Sequence, residues 1–211
     1  MTNKRLFDFT RCERPDGSSY GTRGKCRKGV EAKKREDFPY KVAVTQGRFN
    51  IPHSGHAKLI AHMLEKAPVA YVVFGKGEKN VNKDFRAQML RAVLRKEGVD
   101  TSRVKFIQGS HVASTLKGLA EGEGKENVLF MLGKDQQKFM DSLGKSTGVK
   151  TGAVPRTTEG ASSSRIRKLI DEGDLESLSK EMNGDPYLIR LAQIARKLEK
   201  NEFSEKFNNH D

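Results

Sequence analysis

Cysteine is scarce in this chain, with only Cys12 and Cys26 among 211 residues. Two thiols cannot complete a structural zinc site, which usually takes four ligands. Long apolar runs are missing: nothing approaches the roughly 20 residues that a membrane helix needs, and no signal peptide is visible. These absences predict a soluble, cytoplasmic protein with reduced thiols and no membrane contact. There is no internal repeat. Acid is also in short supply. Asp and Glu number 27 against 40 Lys and Arg, which leaves a formal charge of +13 and a pI near 9.8. So basic a balance predicts anionic partners, either phosphorylated small molecules or nucleic acid, and does not choose between them.

What is present suits one α/β domain with a real core and extra segments at its ends. Residues 1–40 hold 11 Lys and Arg against 6 Asp and Glu, with few aliphatics and no sustained period between Arg11 and Gly29. That stretch reads as a basic, extended arm: a contact for nucleic acid or a protein partner, or a solvated tail. From Lys41 onward the pattern alternates. Strands are expected over 41–46, 69–74, 104–107, 127–132 and 149–154, and helices over 55–64, 84–96, 112–119, 136–143 and 163–172. Asp185-Pro186 supplies a cap and a first-turn proline for a last helix to about Lys200, with a frayed end beyond it. The reading is an arm over 1–40, an α/β domain over 41–183 and a C-terminal helix and tail over 184–211. The alternation predicts a parallel sheet covered by helices on both faces. Open sheets of that kind bind ligands past the carboxyl ends of their strands, where the strand order reverses.

Two stretches carry the chemistry. The first is Gly47-Arg48-Phe49-Asn50-Ile51-Pro52-His53-Ser54-Gly55-His56, between the first strand of the domain and its first helix. Gly47 and Gly55 let the backbone approach a ligand closely. His53 and His56, three apart at a helix start, project from one side. The helix N-terminus adds N–H groups and partial positive charge, and Arg48 a permanent one. Together they are equipment for stabilising a crowded, negatively charged phosphorus. Half of a metal site and a purely structural use of both histidines are the competing readings. The second stretch, Ser162-Ser163-Ser164-Arg165-Ile166-Arg167, is a helix start whose hydroxyls, N–H groups and arginines suit phosphate oxygens, or an ordinary capped surface helix.

Together these stretches resemble the HxGH nucleotidylyltransferase superfamily. Gly47 to His56 has the form Gly-Arg-Phe-x-x-x-His-x-Gly-His. Ser162 to Arg167 is similar to Ser-Ser-Thr-x-Ile-Arg, with Ser164 where threonine is common, and Gly133-x-Asp135 resembles the family's Gly-x-Asp. The resemblance covers roughly residues 40–180 and implies a Rossmann-like nucleotidylyltransferase fold. It also implies a reaction in which the phosphate of an acceptor attacks the α-phosphate of a nucleoside triphosphate and pyrophosphate leaves, without a protein nucleophile. Catalysis would then rest on positioning and charge. By similarity, His53 and His56 would contact the α-phosphate, and Ser163, Ser164 and Arg167 the β- and γ-phosphates. Gly47, Arg48, Phe49, Gly55 and Asp135 would line the nucleotide site, and Lys76 and Lys79 would reach the acceptor or the triphosphate. Mg²⁺ would come with the triphosphate, held mostly by phosphate oxygens and water rather than by dedicated protein ligands.

The Gly-Arg-Phe opening resembles adenylyltransferases acting on nicotinamide mononucleotide, which favours ATP. Arg156 to Ser162 is similar to the Arg-Thr-Glu-Gly-Ile-Ser of cytidylyltransferases acting on choline phosphate, with one residue too many, which keeps CTP open. The arm lies outside the superfamily and is similar to short basic segments of cyanobacterial phage proteins. A nucleotide sensor, or a nucleic-acid-binding protein working through the arm, is the alternative to an enzyme.

Overall fold

In the computed structural model, residues 38–77, 81–107, 111–154 and 162–200 are described in full, and 11–13, 19–20, 31–33 and 201–207 as backbone. Within the stretch read as an extended arm, three short segments pair: β1 (Arg11–Glu13), β2 (Ser19–Tyr20) and β3 (Glu31–Lys33) form an antiparallel sheet in the order β2-β1-β3. No two-residue hydrophobic alternation announces strands this short, so periodicity did not reveal them.

The domain proper is built on β4 (Val42–Gly47), β5 (Val69–Phe74), β6 (Val104–Ile107), β7 (Val128–Gly133) and β8 (Lys150–Val154). All are parallel, in the order β6-β5-β4-β7-β8. Between them run α1 (Ser54–Lys66), α2 (Lys83–Lys96), α3 (Val112–Glu123) and α4 (Gln137–Thr147). This is the Rossmann-like α/β architecture that the alternation implies. Central β4 alternates its side chains between two cores. Ala43 joins Ile60, Met63, Leu90 and Leu94 on one face. Val42 and Val44 join Leu116, Phe130 and Met140 on the other. With both faces covered, a strand can be apolar on both sides, which is why Val69–Phe74 reads as an unbroken run.

The sheet also opens where function needs it. β4 pairs with β5 from Val42↔Val69 to Gly47↔Phe74, but with β7 only from Val42↔Val128 to Val44↔Phe130. Beyond Val44 the two ladders part, at the point where the strand order reverses. That parting lies between the carboxyl ends of β4 and β7, where open sheets of this kind form their crevice.

The chain then closes with α5 (Ser163–Glu172), α6 (Leu175–Glu181) and α7 (Pro186–Phe207). α6 escaped periodicity because it is short and buries only Leu178; its signal was the Asp174 cap, which accepts from the Ser177 N–H. α7 starts as expected, with Asp185 Oδ1 accepting from the amides of Tyr187 and Leu188. Its helical backbone continues past Lys200 to Phe207, where fraying was expected. Leu188, Leu191, Ala192 and Ala195 belong to the same apolar cluster as α1 and α2, so burial anchors the helix. Among the described residues no helix is long and apolar enough to cross a membrane.

Candidate active site

The turn after β4 is held in shape by its own aromatic residue. Phe49 has φ +49°, a left-handed conformation that costs an L-residue about 1–2 kcal/mol. Its ring is 3% exposed, and burying a phenylalanine contributes roughly 1.5–3 kcal/mol, enough to offset the kink. The ring sits over Gly47, where a Cβ would meet it at 2.8 Å, so the glycine is required by packing rather than by its own dihedral. It also lies edge-on to Phe74, centroids 5.4 Å apart, and to His56 at 4.9 Å. Phe49 thus sets the orientation of an imidazole.

The two histidines then cap α1 for each other. The Gly55 N–H donates to His53 Nδ1 at 3.1 Å, and the His53 N–H donates to His56 Nδ1 at 3.2 Å. This is a capping box with imidazoles in place of the usual hydroxyl and carboxylate. Its consequence is chemical. Since both Nδ1 atoms accept, a neutral ring at either position carries its proton on Nε2, the nitrogen able to donate. The rings lie 4.0 Å apart between centroids.

The second signature is joined to the first by a direct bond. The Ser163 hydroxyl donates to the Ile51 carbonyl at 2.9 Å, across 112 residues of sequence. Ser162 caps α5 by accepting from the Arg165 N–H, which leaves Ser164 exposed in the first turn. The α5 and α1 N-termini therefore share the turn that links them. Arg167 is placed differently from a group aimed at solvent or a crevice. Its Nε and one terminal nitrogen donate to the two oxygens of Glu199 on α7, both at 2.8 Å, and Glu199 is 4% exposed. Glu199 also accepts from Arg196 at 3.2 Å, and Arg196 in turn grips Asp171 of α5. Hydrogen bonds from Arg196 first, then Lys200, hold the Asp171 carboxyl far below the usual carboxylate range.

Asp135 is exposed in a short 3₁₀ turn directly after β7, with Oδ1 so close over Gly133 that a Cβ there would meet it at 2.5 Å. That contact explains the glycine two residues before the aspartate. Lys76 is exposed on the rim of a cavity of about 650 Å³ beside the β4 and β5 ends. Lys79 lies outside the described residues. Among the described residues the cavity lining includes Lys76, Lys83 and Arg86 and no carboxylate, a composition that attracts anions.

Three residues were not singled out from sequence. Arg86 of α2 is 2% exposed, lines the cavity and donates to the carbonyls of Arg48 and Gly75. Burial lowers its pKa from the ordinary arginine value. The available signal was an arginine inside the apolar stripe of Leu90 and Val93, four and seven residues on. Asn50 is 3% exposed with its amide unbonded. Glu199 carried no signal, because its partner is 32 residues away.

Among the described residues no group of three or more His, Cys, Asp or Glu side chains is placed to hold a metal ion. Among the described residues no third side chain of these types joins His53 and His56. A divalent ion fits here as part of the triphosphate substrate.

A parallel sheet open at its switch point, with two helix N-termini and paired imidazole N–H donors beside it, defines a nucleotide-binding enzyme of the nucleotidylyltransferase type. Nicotinamide-nucleotide adenylyltransferase of Pyrobaculum aerophilum is 31% identical over 141 residues, which cover 64% of this chain and 79% of that protein. The chain belongs to the nicotinamide-nucleotide adenylyltransferase family. Two solved structures share the fold. Nicotinic acid mononucleotide adenylyltransferase of Plasmodium falciparum, complexed with NaAD, aligns with a TM-score of 0.54 and 15% identity, over 72% of this chain and 94% of that one. A bifunctional NMN adenylyltransferase/ADP ribose pyrophosphatase of Francisella tularensis aligns with a TM-score of 0.59 and 18% identity, over 80% of this chain and 55% of that one. No protein-family model matches the chain.

Proposed function

We propose that this protein transfers AMP from magnesium-bound ATP to nicotinamide mononucleotide, forming the dinucleotide and releasing pyrophosphate. A phosphate oxygen of the acceptor attacks the α-phosphorus, a new P–O bond forms, and the bond to the β-phosphate oxygen breaks. No proton has to move through the protein and no side chain has to act as nucleophile. What the reaction needs is relief of charge on the α-phosphate oxygens and a fixed approach of two anions. His53 and His56 supply Nε2–H donors for the first. The α5 N-terminus with Ser163, Ser164 and Arg167 holds the leaving pyrophosphate, and Gly47, Arg48, Phe49, Gly55 and Asp135 surround the nucleotide. Lys76 and the cavity beside it receive the acceptor.

The observation that carries this reading is the Ser163 to Ile51 hydrogen bond. It brings the phosphate-suited helix start to the histidine turn, so one ligand can touch both. ATP is favoured over CTP because relatives 31% identical over 141 residues are named adenylyltransferases. The test is pyrophosphate release with Mg²⁺, pairing ATP or CTP with nicotinamide mononucleotide, nicotinic acid mononucleotide or choline phosphate. ATP with nicotinamide mononucleotide is expected to turn over fastest. Turnover with CTP and choline phosphate alone would replace this reading with a cytidylyltransferase.

A further inference from the structure

The two buried arginines among the described residues are not alike. Arg103 is 4% exposed and fully employed: Nε donates to the Pro68 carbonyl at 2.8 Å and a terminal nitrogen to those of Leu64 and Ala67, both at 2.9 Å. It closes the carboxyl end of α1, far from the crevice. Arg86 is more deeply buried, yet its Nε has no acceptor, and among the described residues no carboxylate pairs with it. Among the described residues, carbonyl oxygens and the face of Phe74, 5.4 Å from the guanidinium carbon, meet the charge. Asn50, beside it, leaves both amide atoms unbonded. Buried polar groups left unsatisfied in a native fold mark places where something other than stability has shaped the chain.

What Arg86 holds is specific. A single terminal nitrogen donates to the Arg48 carbonyl and, at 3.2 Å, to the Gly75 carbonyl. The first belongs to the peptide that leads into the left-handed Phe49, and hence to the turn bearing both imidazoles. The second opens the loop 75–77, which lines the acceptor cavity. That loop rests directly on the arginine and the asparagine: a Cβ at Gly77 would meet the Arg86 terminal nitrogen at 2.5 Å and Asn50 Oδ1 at 2.6 Å. The loop has one other tie to the turn, the Gly75 N–H to the Gly47 carbonyl at 2.9 Å.

We propose that Arg86 is a positioning residue for the transfer reaction: it locks the histidine turn after β4 to the cavity loop after β5, so that acceptor and imidazoles keep a fixed separation. The inference rests on the adenylyl-transfer reading above. It separates Arg86 from the ATP-binding parts, because the turn stays anchored to α5 through Ser163 and to α1 through its capping box when the clamp is lost. Damage falls on the acceptor and on its alignment.

The experiment is steady-state kinetics of wild type, Arg86→Met and Arg86→Lys, varying MgATP and nicotinamide mononucleotide in turn, with a thermal melt of each protein. Arg86→Met is expected to lower kcat/KM for the acceptor about 100-fold, the scale of a 1 Å misplacement, with KM for ATP within about threefold and partial recovery in Arg86→Lys. A folded Arg86→Met with both acceptor constants at wild-type values overturns the proposal. So does a loss confined to kcat that matches the unfolded fraction. Should Arg86→Met fail to fold, Arg86→Lys is judged by the same criteria. A wild type that transfers no AMP refutes the functional reading instead. The clamp is then read from amide exchange over residues 47–50 and 75–77, expected to quicken at least ~10-fold in Arg86→Lys; unchanged exchange overturns it.

Discussion

The forces that hold His56 include an N–H of the backbone into Nδ1, the edge of Phe49 and the neighbouring ring of His53. These contacts fix the ring through Nδ1 and its faces, and the transfer reaction asks Nε2 to donate. His56→Ala is therefore expected to reduce kcat by at least ~100-fold, as for the loss of one transition-state donor. A change of only a few fold in pyrophosphate release would remove His56 from the mechanism. Gly47 acts one step further back. A methyl there pushes on the Phe49 ring at 2.8 Å, and the ring in turn carries His56. Gly47→Ala should cost about 1–3 kcal/mol of overpacking, seen as a lower melting temperature, and about 100-fold in turnover. If the melting temperature falls while turnover stays, the ring does not set the imidazole.

At the scale of elements, α5 and α7 form one unit through charge. Arg167 and Arg196 share Glu199, and Arg196 and Lys200 share Asp171. Arg167 is thereby oriented by a buried carboxylate, and any reach toward the triphosphate is made from that fork. Asp171 is partly solvated, so its pairing contributes at most about 1 kcal/mol. The sign of its pH dependence follows from the direction of its shift. Its folded pKa is depressed, so the stabilisation is present above the unfolded carboxylate range, near 4, and is lost as the pH falls toward the folded value. Asp171→Asn should lower the melting temperature slightly at pH 7, and the gap to wild type should narrow as the pH drops below about 4. A gap that widens in acid would mean that the pairing is not what Asp171 contributes. Strands and long helices of this molecule were legible in the sequence because their burial is periodic. β5, β6 and α5 have the bounds that the pattern predicts, and α6 was not seen, because one buried leucine makes no period.

For the whole molecule, the two ends of the parallel sheet do different work. The carboxyl ends of β4, β5 and β7 carry the turn, the cavity loop and the Gly-x-Asp. The opposite ends carry stability, with Arg103 joining β6 to the end of α1. Arg103→Ala leaves three buried carbonyls without their donor and should destabilise the fold by about 1–3 kcal/mol in denaturant titration, with kcat and both KM values unchanged. Altered kinetics at full folding would show that the two ends are coupled. The charge of +13 belongs to the same scale. If, as proposed, the basin around Lys76 and Lys83 receives phosphorylated substrate, salt should slow its capture.

Composition, alternation and the two signatures determined, on their own, the parallel α/β architecture, the histidine turn, the serine-rich helix start and the class of chemistry. Each is local: a strand, a cap or a His-x-Gly-His spacing is specified by neighbours within a few residues. Only the tertiary structure decided which side chains are spoken for. Ser163 is bonded to Ile51, Arg167 to Glu199 and Arg86 to two loop carbonyls, all across more than ten residues of chain. A hydrogen bond between distant residues depends on how the helices pack over the sheet, and packing leaves no period in the sequence.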